Sequence, residues 1–188
     1  MSKRSEQGHI SSHQFHLIDT PGPIAAGSSS MRVKLILIAW IAAISFDFIW
    51  HGGILADVYT HSNPALLDPE QAFHRIPYGY GALLVQVVLI YLVLSSLKVN
   101  EWRKGIQMGL IFGGAMGIAS ILGQFSILSL DLKILILWGL GQVVEYGAMG
   151  AVIGAGIKSV SLKKLAARVV VLVVIAFFFT IALQSEFH

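Results

Sequence analysis

Past residue 32 the chain alternates long apolar runs with short polar breaks. A helix that crosses the bilayer core needs about 20 mostly apolar residues. Five runs reach that length: 33–54, 77–97, 105–128, 133–157 and 165–183. They predict an all-α integral membrane bundle of five transmembrane helices, one domain over residues 31–188 with no stretch left for a soluble domain. Residues 1–30 read differently. They are polar and carry Pro21-Gly22-Pro23 and Gly27-Ser28-Ser29-Ser30, a composition that cannot bury enough apolar surface to fold alone and predicts a disordered tail. The first apolar run is already of span length, so it predicts an uncleaved anchor rather than a secretory signal. Met31-Arg32-Val33-Lys34 reads as a natural beginning for that anchor.

Composition agrees with the pattern. Hydrophobic residues fill 55% of the 188 positions, charged ones 12%, and the mean hydropathy of +0.74 lies outside the range of soluble domains. The net charge of +3 suggests at first an acidic partner such as nucleic acid. Its distribution points elsewhere. Lys3, Arg4, Arg32 and Lys34 precede or begin the first span, Lys98, Arg103 and Lys104 separate the second from the third, and Lys158, Lys163, Lys164 and Arg168 separate the fourth from the fifth. The alternate loops hold only Arg75 and Lys133, so the positive-inside rule predicts a cytoplasmic N-terminus and an outer C-terminus. An odd number of spans agrees. The partner implied is the lipid bilayer, with no nucleic acid. Cysteine is absent, which excludes disulfides, thiolate metal sites and cysteine nucleophiles.

Small residues predict how the spans meet. Gly105, Gly109, Gly113 and Gly117 repeat every four positions and lay a groove along one face of the third span, where another backbone can come close. The fourth span carries Gly139, Gly147, Ala151 and Ala155 on one stripe and Gly150 and Gly154 on its flank. Spans three and four are thus expected to pair, leaving the flank for a partner helix of a membrane complex or a second copy of the chain. The fifth span reads VVVLVVIAFFFTIAL over 169–183, with one hydroxyl and no glycine, and is expected at the lipid-facing periphery.

Against this background the ionisable residues inside the spans stand out, because such groups are costly at membrane depth. Asp47 and His51 lie four apart on one face of the first span, flanked by Trp50. Gln142 and Glu145 lie three apart in the fourth, and Gln86 and Gln124 add polar positions in the second and third. At ~1.5 Å per helical residue, Gln86 and Gln142 fall roughly 14 Å below the outer boundary, Glu145 about 18 Å and Asp47 roughly 9 Å, with His51 and Gln124 closer. The inner half offers mainly hydroxyls that can bond to their own helix backbone. This predicts an outward-facing pocket with Glu145 as its floor, rather than a channel. The connection 55–76 could cover the mouth as a lid, with Asp68 capping a short interfacial helix that begins at Pro69.

The predicted ligand- or proton-binding set is therefore Asp47, His51, Trp50, Gln86, Gln124, Gln142 and Glu145, for a small molecule, proton or cation. An alternative is a divalent metal held by Asp47 and His51 with His61 or His74 from the outer loop. No HExxH-type spacing is present, and the cofactor stays open. His9, His13 and His16 sit in the polar tail, where a solvated tract is expected.

The block Phe46-Asp47-Phe48-Ile49-Trp50-His51-Gly52-Gly53, followed by Val58-Tyr59, resembles the first-helix signature of small bacterial membrane-protein families of unknown function. The likeness runs over about residues 33–157 and implies a multi-pass protein of the bacterial inner membrane, without a reaction. Binding or transport ranks first among the functions. A structural or assembly subunit ranks second. An enzyme acting on a lipid-like substrate, with His51 as acid–base and Asp47 orienting it, ranks third for want of a second nucleophile or acid cluster on the cytoplasmic side.

Overall fold

The computed structural model describes residues 29–60, 65–158 and 161–186. Five of its helices are long and apolar enough to cross a membrane, and no strand occurs among the described residues. The chain is an all-α, multi-pass membrane protein. The first crossing is α1 (Ser29–Asp47), continued by a π-helical segment (Phe48–Ile54); a short α2 (Ala56–Thr60) follows. The remaining crossings are α3 (Pro69–Ser96), α4 (Trp102–Phe125), α5 (Leu132–Gly156) and α6 (Leu162–Glu186). The tail predicted over 1–30 lies outside the described residues except for Ser29 and Ser30, which open α1.

α1 and α5 form the centre. α4 lies along α5, α3 packs against both α1 and α5, and α6 covers α1 and the π segment while scarcely reaching α5. Their shared core includes Ala39, Ala43, Val87, Leu94, Met149 and Ile153. The Trp40 indole N–H ties α1 to α3 by donating to the Tyr80 carbonyl at 2.8 Å. Phe177, Phe178 and Phe179 of α6 point outward, apolar side chains that leave nothing unsatisfied in lipid.

Backbones of α4 and α5 touch along most of their length. A Cβ added to Gly105 would run into the Gly150 carbonyl, one on Gly109 into the Tyr146 carbonyl, and one on Gly117 would lie 2.8 Å from the Gly139 oxygen. Gly150 and Gly154 face back onto Gly105 and Glu101. The flank expected to be free for a partner is thus covered by α4 of the same chain. The contact row on α5 runs through Gly139, Val143, Tyr146, Gly150 and Gly154, steps of three or four that keep one side of a helix turned to its neighbour. Gly147 lies just off that row, against the side chain of Leu110.

Two local expectations change. Asp68 does cap a helix, accepting from the Gln71 N–H at 2.9 Å with Pro69 at the first position. It is not a short interfacial helix, however, but the start of the 28-residue α3, which runs through Pro77 without ending. Pro77 withholds one N–H from the carbonyl of Phe73, and Phe73 is exposed near the helix start, where that carbonyl can find other partners. The first span is not α-helical throughout. The Leu55 N–H reaches back five residues to the Trp50 carbonyl at 2.8 Å, the bond of a π turn. Gly52 and Gly53 make the widened turn cheap to form, and α6 fills the space beside them: Thr180 packs there, and the Gln184 amide donates to the Gly52 carbonyl at 2.8 Å.

Candidate functional site

The site forms where the π segment meets α5. Trp50 directs its indole N–H to the Leu137 carbonyl at 3.0 Å, and its ring occupies the space over Gly141, where a Cβ would lie 2.6 Å from ring atoms. That contact pins the end of the first crossing to α5 and sets Asp47 beside Glu145, carboxyl facing carboxyl. His51 Nε2 lies 3.8 Å from Asp47 Oδ1. One ligand atom each from Asp47, His51 and Glu145 can be chosen within 4.8 Å of one another, and Glu145 is buried.

Counting rise along each helix separates Asp47 from Glu145 by roughly 9 Å in depth. The structure removes that gap. α1 and α5 run in opposite directions, and side chains on a helix tilt toward its N-terminus. Asp47 therefore leans back toward the start of α1 and Glu145 back toward the start of α5, so the two meet.

On its other ring nitrogen His51 meets Tyr59 of α2, with Nδ1 2.6 Å from the phenol oxygen. Tyr59 stacks on Trp138 of α5, ring centroids 6.5 Å apart and planes within 12°. Burial, reinforced by the nearby charge of Asp47, pushes the Tyr59 phenol up to about 12. A phenol that keeps its proton donates to Nδ1 and leaves the Nε2–H of His51 facing Asp47. Since an exposed tyrosine ionises near pH 10, the folded state loses stability as pH rises from about 10 to about 12. Thermal unfolding across this window is expected to show the decline, and Tyr59→Phe to make it shallower; an identical alkaline profile in the variant would refute the role.

The cluster borders a cavity of about 1080 Å³ lined by the end of α1, the π segment, α2, α3 as far as Gln86, the end of α4 and α5. Phe48, Leu67, Phe73, Ile76 and Leu83 give it apolar walls. Gln86, Gln124 and Gln142 line it as well, and the side-chain oxygens of Gln86 and Gln142 are buried without a hydrogen-bond partner. Leu66, Leu67 and Asp68 bring part of the connection between α2 and α3 onto the cavity.

Of the residues predicted from sequence, Asp47, His51, Gln86, Gln124, Gln142 and Glu145 share this one space. Trp50 does not: it is the wedge between the π segment and α5. His74 is exposed on α3 with its ring against Phe73, away from Asp47 and His51, and His61 lies outside the described residues. The third donor atom beside Asp47 and His51 comes from Glu145. Tyr59 and Trp138 complete the surroundings of His51 and were not among the predicted site residues. Only the Val58-Tyr59 pair that follows the helix-one block hinted at the tyrosine, since its approach depends on the π turn. No known protein family, curated protein or solved structure matches the chain.

Proposed function

We propose that the protein binds a small molecule or cation that reaches the Asp47–His51–Glu145 cluster from the outer side of a bacterial inner membrane. The reading rests on one observation: two carboxyl groups and an imidazole from two different crossings converge on a cavity large enough for a small organic ligand. The charge distribution supports the orientation. Arg103, Lys104, Lys163 and Lys164 lie at the helix ends opposite α2 and the cavity, which makes that opposite face cytoplasmic by the positive-inside rule. Ser96, at the end of α3 away from the cavity, bonds to the carbonyl of Leu92 on its own helix, which favours a closed pocket over a channel.

Asp47→Asn and Glu145→Gln keep size and hydrogen-bonding capacity while removing charge. Both are expected to leave the unfolding temperature in detergent within a few degrees of the parent and to abolish retention of the small molecule that travels with the purified protein, read by mass spectrometry. Unfolding of both variants, with no molecule retained by the parent, would reduce the cluster to glue between helices.

The compactness of the three donor atoms also supports a second reading, a divalent metal bound by Asp47, His51 and Glu145. It calls for about one zinc or manganese ion per chain, lost in His51→Ala. The subunit reading loses the Gly150 and Gly154 flank as its docking face, because α4 covers it.

A further inference from the structure

We infer that the occupant of the cavity is a lipophilic amine: an ammonium group held at Asp47 and Glu145, with an apolar body lying along Phe48, Phe73, Ile76 and Leu83. This rests on the pocket reading above and gives it a substrate class. Three features of the cavity lead to it.

The first is charge. Asp47, Glu145 and Asp68 line the space, and among the described residues neither lysine nor arginine does. An anionic ligand would meet carboxylates beside a neutral imidazole, whereas a cation is matched.

The second is the kind of hydrogen bond on offer. The oxygens of Gln86 and Gln142 are buried and unpartnered, and both line the cavity. Burying acceptors in this way is costly unless a donor reaches them. The carboxyls of Asp47 and Glu145 add further acceptor oxygens on the same cavity. A primary ammonium brings three N–H donors and no acceptor. A quaternary ammonium brings charge without donors and leaves the two amide oxygens unsatisfied. The stacked Tyr59 and Trp138 rings, also on the cavity wall, supply the aromatic faces that attract such a cation.

The third is size and lining. A bare metal ion would occupy a small part of about 1080 Å³ and leave the apolar walls without a partner. A chain of several carbons fills them and gains with each methylene buried. Gly79 lines this wall, and a Cβ there would meet nothing within 4 Å, so the space beside α3 is open.

The test uses the full chain in lipid nanodiscs at neutral pH, with empty discs subtracted, and four radiolabelled probes sharing a ten-carbon tail: decylammonium, decyltrimethylammonium, decanol and decanoate. Decylammonium is expected to bind saturably at about one per chain, and decyltrimethylammonium at least about tenfold more weakly, the scale of a lost charge-assisted hydrogen bond. Decanol and decanoate are expected to show no saturable binding. Asp47→Asn combined with Glu145→Gln should weaken decylammonium by about tenfold or more. Gly79→Phe should fill the cavity and abolish decylammonium binding while leaving the unfolding temperature intact. Equal saturable binding of decanol or decanoate overturns the amine. Stoichiometric Zn²⁺ binding without amine binding overturns it too, and leaves the pocket reading standing. If no amine or metal binds above empty discs and the double variant changes only the unfolding temperature, the amine and the pocket reading fall together.

Discussion

Gly109→Ala is expected to force α4 away from α5 and to destabilise the protein by on the order of 2–3 kcal/mol, among the larger effects of any single methyl group in the chain. The cause is local and rigid. The new Cβ would enter the Tyr146 carbonyl and crowd the Gly147 Cα at 3.0 Å, and neither is the end of a flexible side chain that could swing aside. Gly105→Ala should behave alike, since it meets the Gly150 carbonyl. Gly114 sits on the same helix with nothing within 4 Å of its would-be Cβ. Gly114→Ala is therefore expected to be neutral or to stabilise by up to about 1 kcal/mol, through the better helix propensity of alanine. The comparison separates packing from propensity, since both changes are glycine to alanine in α4. Unfolding in mixed micelles measures both, and equal effects at 109 and 114 would contradict the close α4–α5 contact.

The second large effect concerns the joint that positions the acids. Trp50→Ala should cost about 3 kcal/mol, from the lost aromatic packing and the lost bond to the Leu137 carbonyl. Gly141→Ala alone should cost about 2 kcal/mol, because its Cβ would stand 2.6 Å from the indole ring. Together the two should cost little more than Trp50→Ala by itself: with the indole gone, the methyl at 141 has nothing to strike. A double-mutant cycle is thus expected to give a coupling of about 2 kcal/mol. Additivity would mean that Trp50 does not rest on Gly141. Either single change should also loosen Asp47 against Glu145, because Trp50 is the nearest fixed point to that pair.

Much of the fold could be read from residue pattern alone. Apolar run length marks five crossings because lipid forces each to satisfy its backbone internally, which a helix does without help from its neighbours. The four-residue glycine period of α4 was legible for a similar reason, since periodicity on one helix is local information. Which face of α5 it meets was not. Gly147 and Gly150 are both small, and only the crossing geometry chooses Gly150 for the contact and leaves Gly147 beside it. The candidate site divides in the same way. Asp47, His51 and Glu145 stood out because charge in an apolar run is conspicuous, whereas Tyr59, in a polar loop, did not.

The sequence by itself determined the membrane architecture, the number of crossings and the acids buried in them, because each follows from the transfer of one segment from water to lipid and needs no second segment. Tertiary structure alone decided that Asp47 and Glu145 touch, that Tyr59 caps His51 and that the end of the first crossing is a π helix. Those features depend on the relative height, direction and tilt of helices far apart in sequence. Along-chain counting has no access to these quantities: it placed Asp47 and Glu145 at different depths, and the opposed lean of side chains on antiparallel helices brought them together.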